Sequence, residues 1–342
     1  MGAQSTIAIT KSIRGLAILL VFYPLRWIVS CLSWRQALGV GTFLGTCHAV
    51  LMRDQLYRQI HQGIKTVFQH QLPDVAIERL VRRNLVTRYK HVIDGFFYQC
   101  LDEALVERLV PIVEGRGHLD QALSTGKGVI LLASHFGSSG MLIAGLIYRG
   151  YRVHQVFTLT PQPQYRTWRR LEHAIMQAKL RCWENDRVSF EFWRPGMYLR
   201  PLYRKLLKGA IVVLYGDGAR GRQFTRVEFM GYPLALSVGP LIIAARAQVA
   251  LIPAFVIRAE DDSHRIILEE PILLKDDDPA SIQSGAEQYA ALLSKYVSAY
   301  PDHWFTWVRL RRVRGEIGSA LQLSTGEEEP TNFYLSEKRQ EA

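Results

Sequence analysis

From Ile77 to Ile93 the apolar residues Ile77, Leu80, Val81, Leu85, Val92 and Ile93 recur at helical spacing through a run rich in Arg and Lys. This is the stripe of an amphipathic helix, and residues 36–112 read as helical in the same way. At Gly126 the pattern changes. "GKGVILLAS" is a short continuous apolar run opened by glycines, the mark of a strand buried on both faces. "MLIAGLIYRG" predicts a helix stopped by Gly150, and "YRVHQVFTL" predicts the next strand. Helices are expected at about 164–180 and 196–208, a third buried strand at 209–215 and a short strand at 226–230. "GPLIIAARAQ" then predicts a helix and "VALIPAFVIR" a strand, with "HRIILEEPI" as its antiparallel partner and a last helix at 281–300.

Strands alternating with helices indicate an α/β fold, with a mixed, mostly parallel sheet covered by helices on both faces. In such sheets ligands bind beyond the carboxyl ends of the strands. His135 falls there, in "LLASHFGSSGML" at 131–142, followed by the small residues Gly137, Ser138, Ser139 and Gly140. "YGDGARG" at 215–221 ends another strand and carries Asp217 and Arg220 on a glycine-rich turn. Pro253 lies inside a third strand, which predicts an edge position or a bulge near a site.

The N-terminus raises a membrane question. "GLAILLVFYPL" at 15–25 is apolar, but Pro24 and Arg26 interrupt it before the roughly 20 residues that a spanning helix needs. Tyr23, Trp27 and Trp34 suit an interfacial depth. Residues 1–35 are therefore expected to form a membrane anchor lying in the interface, with a single span as the alternative. From residue 318 the sequence turns polar, and 318–342 is expected to be a flexible tail.

Composition adds one unusual fact. Apolar residues make up 48% of the 342 residues, which is ordinary, but the formal net charge is +11. Between Gln162 and Arg226 there are 14 Lys and Arg against 5 acids. Such an excess predicts an acidic partner, either an anionic membrane surface or a phosphorylated substrate. No nucleic-acid-binding pattern accompanies it. Cys31, Cys47, Cys100 and Cys182 show neither metal-ligand nor disulfide spacing, so reduced thiols and no structural metal are expected.

The order of these motifs resembles the lysophospholipid acyltransferase superfamily, and within it the bacterial lipid A lauroyl/myristoyl acyltransferase branch. The resemblance runs from about residue 10 to 312 and is densest at 114–138 and 197–221. Asp217-Gly218-Ala219-Arg220 stands where many members carry Glu-Gly-Thr-Arg, and Pro253 matches a strand proline of the wider superfamily. The resemblance implies one acyltransferase-like α/β domain over 36–317, with a helical N-terminal part, at the cytoplasmic face of a bacterial inner membrane. It also implies transfer of a fatty acyl chain from acyl carrier protein or coenzyme A to a hydroxyl of a phospholipid or glycolipid. His135 would be the general base, and no metal or redox cofactor is implied. Arg220, with Arg200, Arg222 or Arg226, would suit phosphate, because arginine makes paired, charge-assisted bonds to its oxygens.

The family's H-x-x-x-x-[DE] motif fails at its last position, where this chain has Gly140. Losing the acid that orients a catalytic histidine costs up to about 10⁴-fold in comparable serine enzymes. Three accounts stay open. Asp217 supplies the carboxylate from the neighbouring loop, or Ser138 or Ser139 holds the imidazole through a neutral bond, or catalysis is lost and the chain binds lipid or an acyl carrier. Asp217 is also an ordinary turn residue, and Trp304 and Trp307 in "YPDHWFTWVRLRR" read as packing or interfacial aromatics.

Overall fold

The computed structural model describes residues 25, 27–29, 31–158, 188–193, 199–218, 223–315 and 318–323. The helix expected at 164–180, Arg220 and most of the anchor expected at 1–35 lie outside the described residues.

The first part of the chain is helical. α1 (Trp34–Leu51) begins with a reciprocal cap in which the Ser33 hydroxyl accepts from Gln36 N and the Gln36 side chain accepts from Ser33 N. α2 (Gln55–Phe68) is capped by Asp54, which accepts from Tyr57 N. α3 (Asp74–Phe97) is the striped helix. Ile77, Val81, Leu85 and Ile93 are buried, whereas Val92 is exposed. α1 lies directly against α3 because Gly45 has no side chain, and a Cβ there would stand 2.7 Å from Val86 Cα. No helix among the described residues is long and apolar enough to cross a membrane.

α4 (Glu103–Leu109), β1 (Ile112–Glu114) and α5 (Arg116–Ser124) lead into the α/β part. There follow β2 (Val129–Ala133), α6 (Ser139–Ile147), β3 (Val153–Thr158) and β4 (Val188–Trp193). α7 (Arg200–Leu207), β5 (Ile211–Tyr215), β6 (Phe224–Phe229) and β7 (Tyr232–Ser237) come next. The chain continues through α8 (Gly239–Ala247), β8 (Ala250–Arg258), β9 (His264–Leu268), α9 (Pro279–Ala299), β10 (Leu310–Gly315) and β11 (Gly318–Leu323).

Seven strands form the main sheet in the order β1-β9-β8-β2-β5-β3-β4. β8, β2, β5, β3 and β4 run parallel, while β9 and β1 run the other way. Alternate residues of the central strands enter two separate cores. Ile130, Leu132, Val212, Leu251 and Phe255 pack with α2, α3, α8 and α9, and Val129, Leu131, Ile211, Val213 and Ile252 pack with α4, α5 and α6. Burial on both faces is what makes these strands read as unbroken apolar runs.

The structure departs from the sequence reading in four places. The short strand expected at 226–230 is the first arm of a hairpin, β6–β7, turning at Met230-Gly231 with φ values of 52° and 81°. Two left-handed residues make the primed turn that suits strand twist, but the first is a methionine, which carries no turn signal. β11 begins at Gly318, so the tail expected from that point starts as an ordered strand. It pairs with β7 and β10 in a second, four-stranded sheet, β10-β11-β7-β6. Third, β1, β4 and β10 have no counterpart in the sequence reading. The fourth concerns Pro253, which is not at an edge, because β8 lies between β9 and β2. It is tolerated where β9 ends: Pro253 O accepts from Glu269 N at 2.9 Å. The Glu269 carbonyl that a residue 253 N–H would have met lies 3.2 Å from His118 Nδ1 instead.

Candidate active site

β2 and β5 are parallel neighbours in a register that sets Ala133 opposite Tyr215. Gly216 N donates to Ala133 O at 2.9 Å, continuing the pairing past the strand ends. Two residues further, His135 and Asp217 must therefore face each other. Gly216 is required for this path, since a Cβ there would lie 2.6 Å from the Tyr289 ring.

Asp217 is completely buried. His135 Nδ1 lies 2.8 Å from its Oδ1, and His135 N donates to both carboxylate oxygens at 3.0 and 2.9 Å. Trp304 Nε1 and Thr306 Oγ1 each donate to Oδ2 at 2.8 Å. Burial by itself would raise the Asp217 pKa; the His135 charge and the donors of His135, Thr306 and Trp304 outweigh it and hold the carboxyl below its usual range. An ionised Asp217 only accepts, so Nδ1 of His135 must carry a proton and donate it. Nε2 of the neutral ring is then the basic nitrogen. The His135 side chain is 37% exposed, and Nε2 has no hydrogen-bond partner among the described residues. The Tyr215 ring stacks on the imidazole, with centroids 4.4 Å apart. Gln155 Nε2 donates to the Tyr215 hydroxyl at 3.0 Å.

The turn after His135 is held from the far end of the chain. Phe305 N donates to His135 O at 2.7 Å, and Gly137 N donates to His303 O at 2.9 Å. Gly137 takes a φ of 57° and passes so close to β8 that a Cβ would stand 2.1 Å from Val256 O. His303 Nε2 in turn accepts from Arg258 N at 3.1 Å. Arg258 is ion-paired with the buried Asp94, and His264 Nε2 lies 3.6 Å from the same carboxylate.

The structure thus brings His135 and Asp217 together and places Ser138, Ser139 and Arg200 elsewhere, while Arg220 lies outside the described residues. Ser138 is buried at the start of α6, its hydroxyl 3.4 Å from His91 Nδ1. Ser139 hydrogen-bonds the Tyr215 hydroxyl. Neither serine is among the partners of the imidazole. Arg200 is exposed on the first turn of α7. Gly140 lies within α6. Trp304 and Thr306 were missed as site residues. Trp304 looked like packing, and nothing in a lone threonine announces a bond to a carboxylate 89 positions earlier.

Among the described residues no group of three or more His, Cys, Asp and Glu is placed to hold a metal ion. A histidine oriented by a buried carboxylate, with its second nitrogen open, can take a proton from a bound hydroxyl.

Comparison with known proteins agrees with the motif order. Residues 10–312 match the bacterial lipid A biosynthesis acyltransferase family. Two curated relatives, both called phosphatidylinositol mannoside acyltransferase, come from Mycobacterium tuberculosis strains CDC 1551 and H37Rv. Each is 27% identical over 154 residues, which is 44% of this chain. The match spans 45% of those relatives' own length. With the family match running over most of its length, the chain belongs to the bacterial lipid A biosynthesis acyltransferase family.

Proposed function

We propose that this protein transfers a fatty acyl chain from a thioester donor to a hydroxyl of a lipid or glycolipid, with His135 as general base and Asp217 as the group that orients it. The observation that carries this reading is the 2.8 Å contact between His135 Nδ1 and Asp217 Oδ1, which leaves Nε2 available. Nε2 removes the proton of the acceptor hydroxyl as its oxygen attacks the thioester carbonyl. The imidazolium faces the ionised Asp217, whose charge stabilises it. When the tetrahedral intermediate collapses, the carbon–sulfur bond breaks and the proton passes from Nε2 to the departing thiolate. The products are an ester and a thiol, and no acyl-enzyme forms.

The donor in this reading is acyl carrier protein or coenzyme A. The name of the mycobacterial relatives favours a sugar hydroxyl on a phosphorylated glycolipid as acceptor. We place the protein at the cytoplasmic face of the inner membrane. Trp27, Ile28, Phe43, Val50, Leu51 and Met52, on or next to α1, are exposed apolar side chains that suit contact with acyl chains at an interface.

Lipid extracts of cells carrying the wild type or His135→Ala at equal protein levels test the reading by mass spectrometry. A lipid that gains one acyl chain only with the wild type is expected and would identify the acceptor. Identical lipid profiles, with the variant still rescuing a deletion phenotype, would instead point to a non-catalytic lipid- or carrier-binding protein.

A further inference from the structure

Most cations beside the catalytic turn have an acid of their own. Arg83 lies 3.4 Å from Asp302, Lys90 2.7 Å from Asp262, and Arg258 is paired with Asp94. Arg88 and Arg309 do not. Arg88 Nε donates to Asn84 Oδ1 at 2.8 Å, one terminal nitrogen donates to Phe305 O, and the guanidinium lies over the Phe305 ring, 4.7 Å from its centroid. Neutral acceptors and an aromatic face hold it in place without cancelling its charge. The side chain of Arg309, half-buried at the end of the 305–309 turn, makes no hydrogen bond or ion pair among the described residues. Burial and then the nearby Arg309 charge push the Arg88 guanidinium down to about 9. Arg309 ends the same short turn whose first residue, Phe305, holds Arg88, so two guanidiniums without an acid are carried by one small piece of the fold.

Their position gives this meaning. Phe305, which carries the Arg88 contact, donates its N–H to His135 O. His91, one turn along α3 from Arg88, also packs against the Phe305 ring, with centroids 5.4 Å apart, and lies 3.4 Å from the Ser138 hydroxyl in the turn after His135. We infer that Arg88 and Arg309 form a subsite beside His135 for a phosphate group of a substrate, with Arg88 as the fixed floor and Arg309 as the free arm. This rests on the acyl-transfer reading for the word substrate, but the anion site stands on the two guanidiniums alone. Planar guanidinium groups suit phosphate oxygens better than point charges do. The phosphate belongs either to the donor thioester or to the lipid headgroup.

The test measures binding, not turnover. Arg309→Gln is the main variant, since it removes the charge without breaking any side-chain hydrogen bond or ion pair among the described residues. Arg88→Lys is the second, and Arg246→Gln, which removes an exposed charge paired with Asp277, is the control. Free coenzyme A is one probe, and phosphatidylinositol in phosphatidylcholine vesicles is the other. Arg309→Gln and Arg88→Lys are expected to weaken one probe by about tenfold or more, while Arg246→Gln changes neither beyond twofold. Loss on coenzyme A assigns the subsite to the donor, and loss on the vesicles assigns it to the acceptor. Unchanged affinity for both probes, or an equal loss with Arg246→Gln, overturns the site. If His135→Ala leaves the lipid profile intact while Arg309→Gln still loses affinity, the acyl-transfer reading falls and the anion site stands.

Discussion

His135 Nδ1 and Asp217 Oδ1 are 2.8 Å apart although 82 positions separate the two residues. The pairing of β2 with β5 accounts for it, because Ala133 opposite Tyr215 brings the second residue beyond each strand to the same place. In the acyl-transfer reading, the acid expected five residues after His135, where this chain has Gly140, is supplied instead from the end of the neighbouring strand β5. Its consequence is testable in turnover. Asp217→Asn should lower kcat by about 10³–10⁴-fold, as loss of the orienting acid does in comparable enzymes. Combined with His135→Ala it should add little, since the two act as a unit. Full activity in Asp217→Asn would remove it from the mechanism.

Thr306 donates to Asp217 at 2.8 Å, and in the acyl-transfer reading it is a positioning residue acting through that carboxylate. Thr306→Val should cost about 1–3 kcal/mol of stability, the range for a lost hydrogen bond to a charged group. It should also lower kcat more than it changes KM. Thr306→Ser should restore both. A valine variant with wild-type kcat and melting temperature would show that Trp304 and the His135 amide suffice.

Gly137 takes a left-handed φ and leaves no room for a Cβ beside Val256 O. Gly137→Ala should lose at least about 1–3 kcal/mol from backbone strain alone and lose most activity with it. Urea unfolding measures the first and acyl transfer the second. Retention of both would mean that the turn can be rebuilt around a methyl group.

Acid sensitivity should trace in part to His91. Burial, and then the charges of Arg258, Arg88 and His264, hold it down to about 4, although Asp94 acts in the opposite sense. The unfolded chain, with His near 6.5, binds a proton that the folded chain refuses between those values. Stability is therefore full above about pH 6.5 and falls as the pH drops towards 4. His264, also depressed by burial first, works in the same direction. In a series of melts from pH 7 to pH 4, His91→Gln should lose less stability than the wild type. An unchanged slope would assign the effect to other groups.

The exposed side chains of Phe43 and Leu51 are expected to meet lipid. Phe43→Glu with Leu51→Glu should lower sedimentation with anionic vesicles at least several-fold while leaving the melting temperature within about 1–2 °C, because neither side chain is packed. Undiminished sedimentation would move the contact elsewhere on the chain.

What could be read in advance follows the range of the interactions. Val129–Ala133, Ile211–Tyr215 and Ala250–Arg258 are strands buried on both faces, and unbroken apolar runs announce them. His135 and Asp217 were legible as loop residues at strand ends, and their contact follows once the strand order is known. The β6–β7 turn was hidden because Met230 occupies a left-handed position that sequence rules reserve for Gly, Asn or Asp. β11 was hidden because Gly318–Leu323 opens a polar stretch with little apolar signal, although its main pairing, with β10, is local. Pro253 misled because the rule for strand prolines assumes that a full neighbour stands on each side, and β9 stops beside it.

The segment from His303 to Thr306 closes over the catalytic turn with four hydrogen bonds: His303 O to Gly137, Phe305 N to His135, and Trp304 and Thr306 to Asp217. The His135–Asp217 pair is therefore held both by its own two strands and by residues that lie some ninety and more positions further along the chain. During synthesis, a nascent chain of three hundred residues already holds the histidine, the aspartate and every strand of the main sheet, yet it lacks the clamp that fixes their geometry. The clamp forms only once residues 303–306 have been added, so a product cut short of them would hold both His135 and Asp217 without the bonds that fix their geometry.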